Sequence, residues 1–173
     1  MLRVINYFFQ SIVIYSFFLI GKILGIKISR KLFSFLFLLV GPTFKSKKII
    51  NNNLNIFSKK QPALNKEKIK INMWKNYGKT FIEYAFLNHL RNNVSNIIVT
   101  GETNLLEATQ KDKPVIFISG HFANFEMMSM ELTKMNVKLA TIYRPLNNFF
   151  LNPFMEYLRK KYICRNQIKK GIT

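Results

Sequence analysis

The feature that most limits what this chain can fold into is an 18-residue run without a charge. It spans Val4 to Gly21 (VINYFFQSIVIYSFFLIG), held between Arg3 and Lys22. As a helix rising 1.5 Å per residue it would be roughly 27 Å long, close to the hydrocarbon thickness a membrane span must cover. A second apolar run, Leu32 to Phe44, has 13 residues, ends in Gly41-Pro42-Thr43-Phe44 and is too short for a dependable span. Three arrangements stay open: a single signal-anchor span, a pair of helices lying in the membrane interface, and a cleaved signal peptide or ordinary buried helix. No clean small-x-small cleavage site follows the first run. Asn6 and Gln10 share one helical side, as they would in a surface-lying helix.

The flanking charges bear on orientation. Residues 1 to 50 hold eight basic side chains (Arg3, Lys22, Lys27, Arg30, Lys31, Lys45, Lys47, Lys48) and no acidic one. By the positive-inside rule the bulk of the chain stays cytoplasmic. The same cations suit anionic headgroups, with a solvated basic surface as the plain alternative. Across the chain 27 Lys+Arg face 8 Asp+Glu, a formal charge of +19, which predicts an acidic partner: nucleic acid, anionic lipid or acidic protein. Nucleic acid is not expected. A zinc pattern, an RNA-binding aromatic signature and a clear helix-turn-helix are all missing, and the aromatics sit mostly in apolar segments. The lone cysteine excludes an internal disulfide, and 17 Phe with 7 Tyr argue against a disordered chain.

The sequence divides into a hydrophobic membrane-anchoring region, 1–44, and a domain over 45–173. Asn51 to Lys70 reads as a helix end, a loop at Gln61-Pro62 and a helix start. Ile71 to Leu90 reads as one helix, with Trp74, Tyr77, Phe81, Ala85 and Asn88 at three-to-four spacing. Strands are expected at Asn96–Thr100, Val115–Ser119 (VIFIS) and Val137–Ile142. Helices are expected at Asn104–Thr109, Phe122–Met135 and Asn152–Lys161, with a polar turn at Lys111-Asp112-Lys113-Pro114. This order predicts an α/β fold in which an N-terminal membrane helix precedes a mixed sheet with flanking helices.

The most informative stretch is Ser119-Gly120-His121-Phe122-Ala123-Asn124-Phe125-Glu126. Gly120 allows a sharp turn and leaves space beside the imidazole. That puts His121 at a strand-to-helix junction, where α/β proteins hold ligands. A histidine there can take a proton from an alcohol near neutral pH, and Glu126 can orient the ring and stabilise its cation. Positions five apart on a helix differ by about 140°, so contact requires His121 to lie outside the regular helix. The bland alternative is a turn histidine beside a solvated glutamate. A metal centre is not expected: the other histidine, His89, lies in another helix, and His-x4-Glu is not a zinc ligand pattern. Phe122, Phe125, Met127, Met128 and Met130 suit either a core or the border of an acyl chain. After VKLATI comes Tyr143-Arg144-Pro145. There Pro145 stiffens the strand exit and Arg144 can pair with phosphate, a generic turn arginine being the alternative.

Together these motifs resemble the bacterial lipid A biosynthesis (lauroyl/myristoyl) acyltransferases. The resemblance is carried by the N-terminal apolar segment, Lys47–Leu54, SGHFANFE at Ser119–Glu126, TIYRPLNN at Thr141–Asn148 and NPF at Asn152–Phe154. Phe125 stands where the family usually has Trp. The resemblance implies an inner-membrane transferase, facing the cytoplasm, that moves a fatty acyl group from acyl carrier protein to a hydroxyacyl chain of a Kdo-lipid A precursor. It makes His121 the catalytic base, Glu126 its acidic partner, and Arg144, with Tyr143 and Asn124, a substrate-binding group. Arg159, Lys160 and Lys161 become a docking surface for the acidic carrier protein, with anionic lipid as the competing partner. No cofactor or metal is implied. The family's further C-terminal blocks are expected to be missing after Lys169-Lys170-Gly171. That leaves an inactive membrane-associated acyltransferase fragment as the alternative to an active enzyme.

Overall fold

A computed structural model describes residues 1–173 except positions 62, 64, 94–96, 111–112 and 172–173, and the side chain of Phe44. Pro62, Asn96, Lys111 and Asp112, expected in a loop, a strand and a turn, therefore lie outside the described residues. Helix α1 runs Leu2–Phe44 with non-helical backbone at Gly25, whose φ of 75° and ψ of 162° only glycine adopts without strain. The chain doubles back there. Ser29 Oγ donates to Gly21 O at 2.9 Å, and the Phe17 and Phe33 rings stand 5.4 Å apart, distances a straight helix cannot give. The two apolar runs are thus limbs of one helical hairpin. The helix includes Pro42, which its last turn tolerates because the missing proline N–H costs one bond there.

Helices α2 (Lys47–Ser58) and α3 (Lys66–Glu83) follow. Each starts at a side-chain cap: Ser46 Oγ accepts from Ile49 N–H and Asn65 Oδ1 from Lys68 N–H. The Asn65 cap starts α3 five residues before the apolar periodicity does. A 3₁₀ turn, Tyr84–Phe86, then separates α3 from α4 (Leu87–Asn92), so the single helix expected over Ile71–Leu90 is two.

Residues 16–85 form one compact unit. Phe81 of α3 sits among Phe17, Phe18, Phe33 and Phe37 of the hairpin, at centroid distances of 5.3 to 6.3 Å. Small residues allow this close approach. A Cβ on Gly78 would lie 2.1 Å from Phe33 O, and one on Gly41 2.2 Å from the Trp74 ring. Ser34 Oγ donates to Lys75 O, and Arg30 Nε donates to Glu83 Oε1 at 2.7 Å. The other side of the second limb exposes Ile28, Leu32, Phe35 and Leu39, a stripe at helical spacing. From Leu32 to Val40 this limb is therefore apolar almost all round, the pattern of a helix surrounded by protein or lipid.

Residues 1–15 and 86–173 form the second unit. Tyr15 Oη donates to Phe150 O at 2.9 Å, and buried Asn148 donates to Tyr7 O at 2.8 Å while accepting from the Phe150 and Leu151 N–H groups. Helices α5 (Glu102–Gln110) and α6 (Glu126–Lys134) precede strand β1 (Ala140–Tyr143), helix α7 (Asn152–Tyr162) and strand β2 (Asn166–Lys169). Asn136, at φ 62°, ends α6: its N–H reaches Thr133 O and Val137 N–H reaches Leu132 O. Strands β1 and β2 pair in parallel, Tyr143 opposite Lys169, with α7 as the crossover.

This β-α-β piece is α/β in character, but among the described residues the sheet has only these two strands. The segments 97–100 and 115–119 are not strands. Strand propensity without a ladder partner leaves VIFIS irregular, with Ile116 and Ile118 about nine-tenths exposed.

Candidate active site

The loop Ser119 to Phe125 carries the chain from VIFIS into α6. His121 lies outside the helix and is exposed. Phe122 N–H donates to Gly120 O at 2.9 Å in a tight turn. A Cβ on Gly120 would come within 2.3 Å of the Phe122 ring. The space beside Gly120 is thus filled by Phe122, where the sequence suggested room for the imidazole. Ala123 has φ 46°, a left-handed conformation costing about 1–2 kcal/mol for a residue with a Cβ. Asn124 Oδ1 accepts from Glu126 N–H at 3.3 Å, so Asn124 shapes the start of α6.

Glu126 opens α6 and is buried. The N-terminus of a helix favours its negative charge. The His121 imidazole lies flat against Phe125, centroids 4.2 Å apart and planes 9° apart. The Glu126 carboxylate accepts from Arg159 Nε at 2.8 Å, with the two side chains 10% and 15% exposed. The three cations assigned to carrier docking are therefore parted. Arg159 turns into the site, Lys160 is exposed, and Lys161 donates to Tyr157 Oη at 2.7 Å while lying over the Tyr157 and Tyr162 rings.

Tyr143 ends β1 and donates to Glu156 Oε1 at 2.6 Å; the same carboxylate accepts from Asn152 Nδ2 and pairs with Lys169 Nζ at 3.3 Å. Burial, then the bond to Glu156 and its charge, pushes the Tyr143 phenol up to about 12. The hydrogen bond from Tyr143 leads in holding Glu156 below the usual glutamate value. Tyr143 is thus a donor at neutral pH and unsuited to act as a base. Arg144, next along, is exposed.

One cavity of about 850 Å³ gathers the chemistry, with His121, Glu126, Arg144 and Arg159 all on its wall. Apolar side chains share that wall, Val115, Phe117 and Met128 among them. Arg144, Arg159 and Lys138 against the single Glu126 leave it net positive, suited to an anionic headgroup beside an apolar chain. Among the described residues no three His, Cys, Asp or Glu side chains gather as a metal site.

A family model for bacterial lipid A biosynthesis acyltransferases matches residues 1–166. The chain belongs to this family. No curated protein and no solved structure matches the chain. Membership makes acyl transfer in lipid A biosynthesis the chemistry to which the cavity is to be fitted. The match includes every wall residue of the cavity except Gln167. Sequence reasoning missed the Glu126–Arg159 pair, because no spacing rule links residues 33 apart; the only signal was a shortage of acids among many cations.

Proposed function

We propose that this chain transfers a fatty acyl group from an acyl-carrier-protein thioester to a hydroxyacyl chain of a Kdo-bearing lipid A precursor. The observation that carries the proposal is the convergence of His121, Glu126 and Arg144 on one cavity with an apolar wall. In the proposed step His121 takes the proton of the acceptor hydroxyl as its oxygen attacks the thioester carbonyl. The C–S bond then breaks, the ester forms, and the imidazolium returns the proton to the departing thiolate. The Glu126 carboxylate, fixed by Arg159, offsets the charge that develops on the ring, and Phe125 sets the ring plane. Arg144 binds a phosphate of the acceptor, in keeping with its exposed place on the wall.

The acidic carrier docks near Lys160 and Lys161 through long-range attraction, and α1 anchors the chain in the inner membrane with the cavity facing the cytoplasm. Among the described residues one helix, α1, is long and apolar enough to cross a membrane, and its limb before Gly25 holds the 18-residue uncharged run. One observation favours a second reading, a membrane-associated family member without turnover: Ile116 and Ile118 stand exposed on an irregular segment beside the cavity. The test is acyl transfer from loaded carrier protein into purified precursor, followed by mass spectrometry, for the parent and Arg144→Ala. Product from the parent with a raised acceptor KM in Arg144→Ala is expected. No product from the parent would favour the second reading, and an unchanged KM would remove Arg144 from the acceptor site.

A further inference from the structure

Helix α2 has a feature that neither the hairpin nor the cavity uses. It buries none of its residues, yet its sequence is two-sided. At 100° per residue, Ile49, Ile50, Leu54, Ile56 and Phe57 fall on one arc, interrupted only by the exposed Asn53, and Lys47, Lys48, Asn51, Asn52 and Asn55 on the other. Ile50 and Leu54 are partly covered, and Ile50 lines a groove with Leu38, Pro42 and Trp74 of the same unit. Ile49, Ile56 and Phe57 point elsewhere and are 62%, 67% and 53% exposed. The polar side is tied into the unit, since Asn55 Oδ1 accepts from Lys66 Nζ at 3.0 Å.

Charge identifies the occupant of the open apolar side. Lys45 precedes the helix, Lys47 and Lys48 open it, Lys59 and Lys60 follow it, and the first acidic residue of the chain is Glu67. A protein partner would have to be acidic and apolar together, whereas an anionic bilayer offers both along its surface. Position agrees. α2 begins three residues after the second limb of α1 ends, and at that limb's end Lys45 lies over the exposed Tyr77 ring, 5.6 Å from its centroid. Aromatic and lysine side chains of this kind mark the level of lipid headgroups.

Given the proposed membrane anchoring of α1, we infer that α2 is an interfacial helix lying in the plane of an anionic membrane surface. Ile49, Ile56 and Phe57 enter the acyl boundary while the lysines at both ends hold lipid phosphates. The helix thereby fixes the depth and tilt of the protein and adds a requirement for anionic lipid that an apolar hairpin alone does not have.

The test uses the full chain in vesicles of phosphatidylethanolamine and phosphatidylglycerol. An environment-sensitive fluorophore is placed at Phe57→Cys or, on the polar arc, at Asn52→Cys; the native Cys164 is buried and stays unlabelled. The expected result is blue-shifted emission at position 57, quenched by spin-labelled lipid, and quenching by aqueous iodide at position 52. Replacing Lys47, Lys48, Lys59 and Lys60 by Gln should weaken the shift, each lysine removed lowering affinity for the surface about five-fold. Equal iodide quenching at both positions, in protein that floats with the vesicles, overturns the inference while leaving the α1 anchor intact. Protein that does not float overturns both. A shift at position 57 that is already complete in detergent without lipid assigns the face to a protein contact and also overturns it.

Discussion

Arg159 and Glu126 hold each other in a site where both side chains are mostly covered, so removing one leaves the other as a poorly solvated charge. Arg159→Ala should lower stability by about 2–4 kcal/mol, and adding Glu126→Gln should recover part of the loss. Chemical denaturation of the four proteins in detergent checks the pair, and simple additivity would show that the contact contributes little. The Tyr143–Glu156 pair gives a pH signature with a definite sign. Tyr143 titrates higher folded than free, from 10.0 to about 12, so its contribution is complete below pH 10 and lost as pH rises toward 12. Glu156 titrates lower folded than free, so its contribution is present above about pH 4.5 and lost as pH falls through the folded value. The gap in thermal midpoint between the parent and Tyr143→Phe should therefore narrow from pH 10 to 12, and the gap to Glu156→Gln should narrow in acid. Gaps that do not change with pH would remove the pair.

The hairpin rests on two glycines that act differently. Gly25 supplies a left-handed turn, and Gly25→Val should destabilise by about 1–3 kcal/mol through backbone strain. Gly78 supplies space, and Gly78→Leu pushes a side chain into the Phe33 backbone, with a larger loss expected. Thermal unfolding in detergent ranks them, and an unchanged midpoint for Gly78→Leu would contradict the packing described. How much was legible follows the same division between local and distant causes. α7 ends within a residue of the expected Asn152–Lys161, and Pro153 marks its start. Gly25 stands with Gly21 between two apolar runs, and a glycine inside a helical pattern is a weak local signal for a break. β2 (Asn166–Lys169) carries little strand propensity and exists because β1 offers it a ladder; VIFIS has the propensity and no ladder. Pairing is decided by partners far along the chain, which a local reading does not contain.

At the scale of the whole molecule, an apolar hairpin, a cationic N-terminal third and a net-positive cavity all point to a lipid with acidic headgroups. After a high-salt wash and an alkaline wash of membranes the chain should stay in the membrane fraction, because apolar burial survives both treatments and ionic adhesion does not. Complete release would leave electrostatics as the sole attachment. The central claim is chemical: His121 is the base for acyl transfer at this cavity. Its most direct measurement is the rate at which membranes carrying the chain move acyl groups from thioester-loaded carrier protein into a purified lipid A precursor, followed by mass spectrometry for the parent and His121→Ala. The account predicts measurable transfer by the parent and a loss of about 10²–10⁴-fold in His121→Ala, with both proteins equally abundant in the membrane fraction. Transfer by His121→Ala at the parental rate would contradict it.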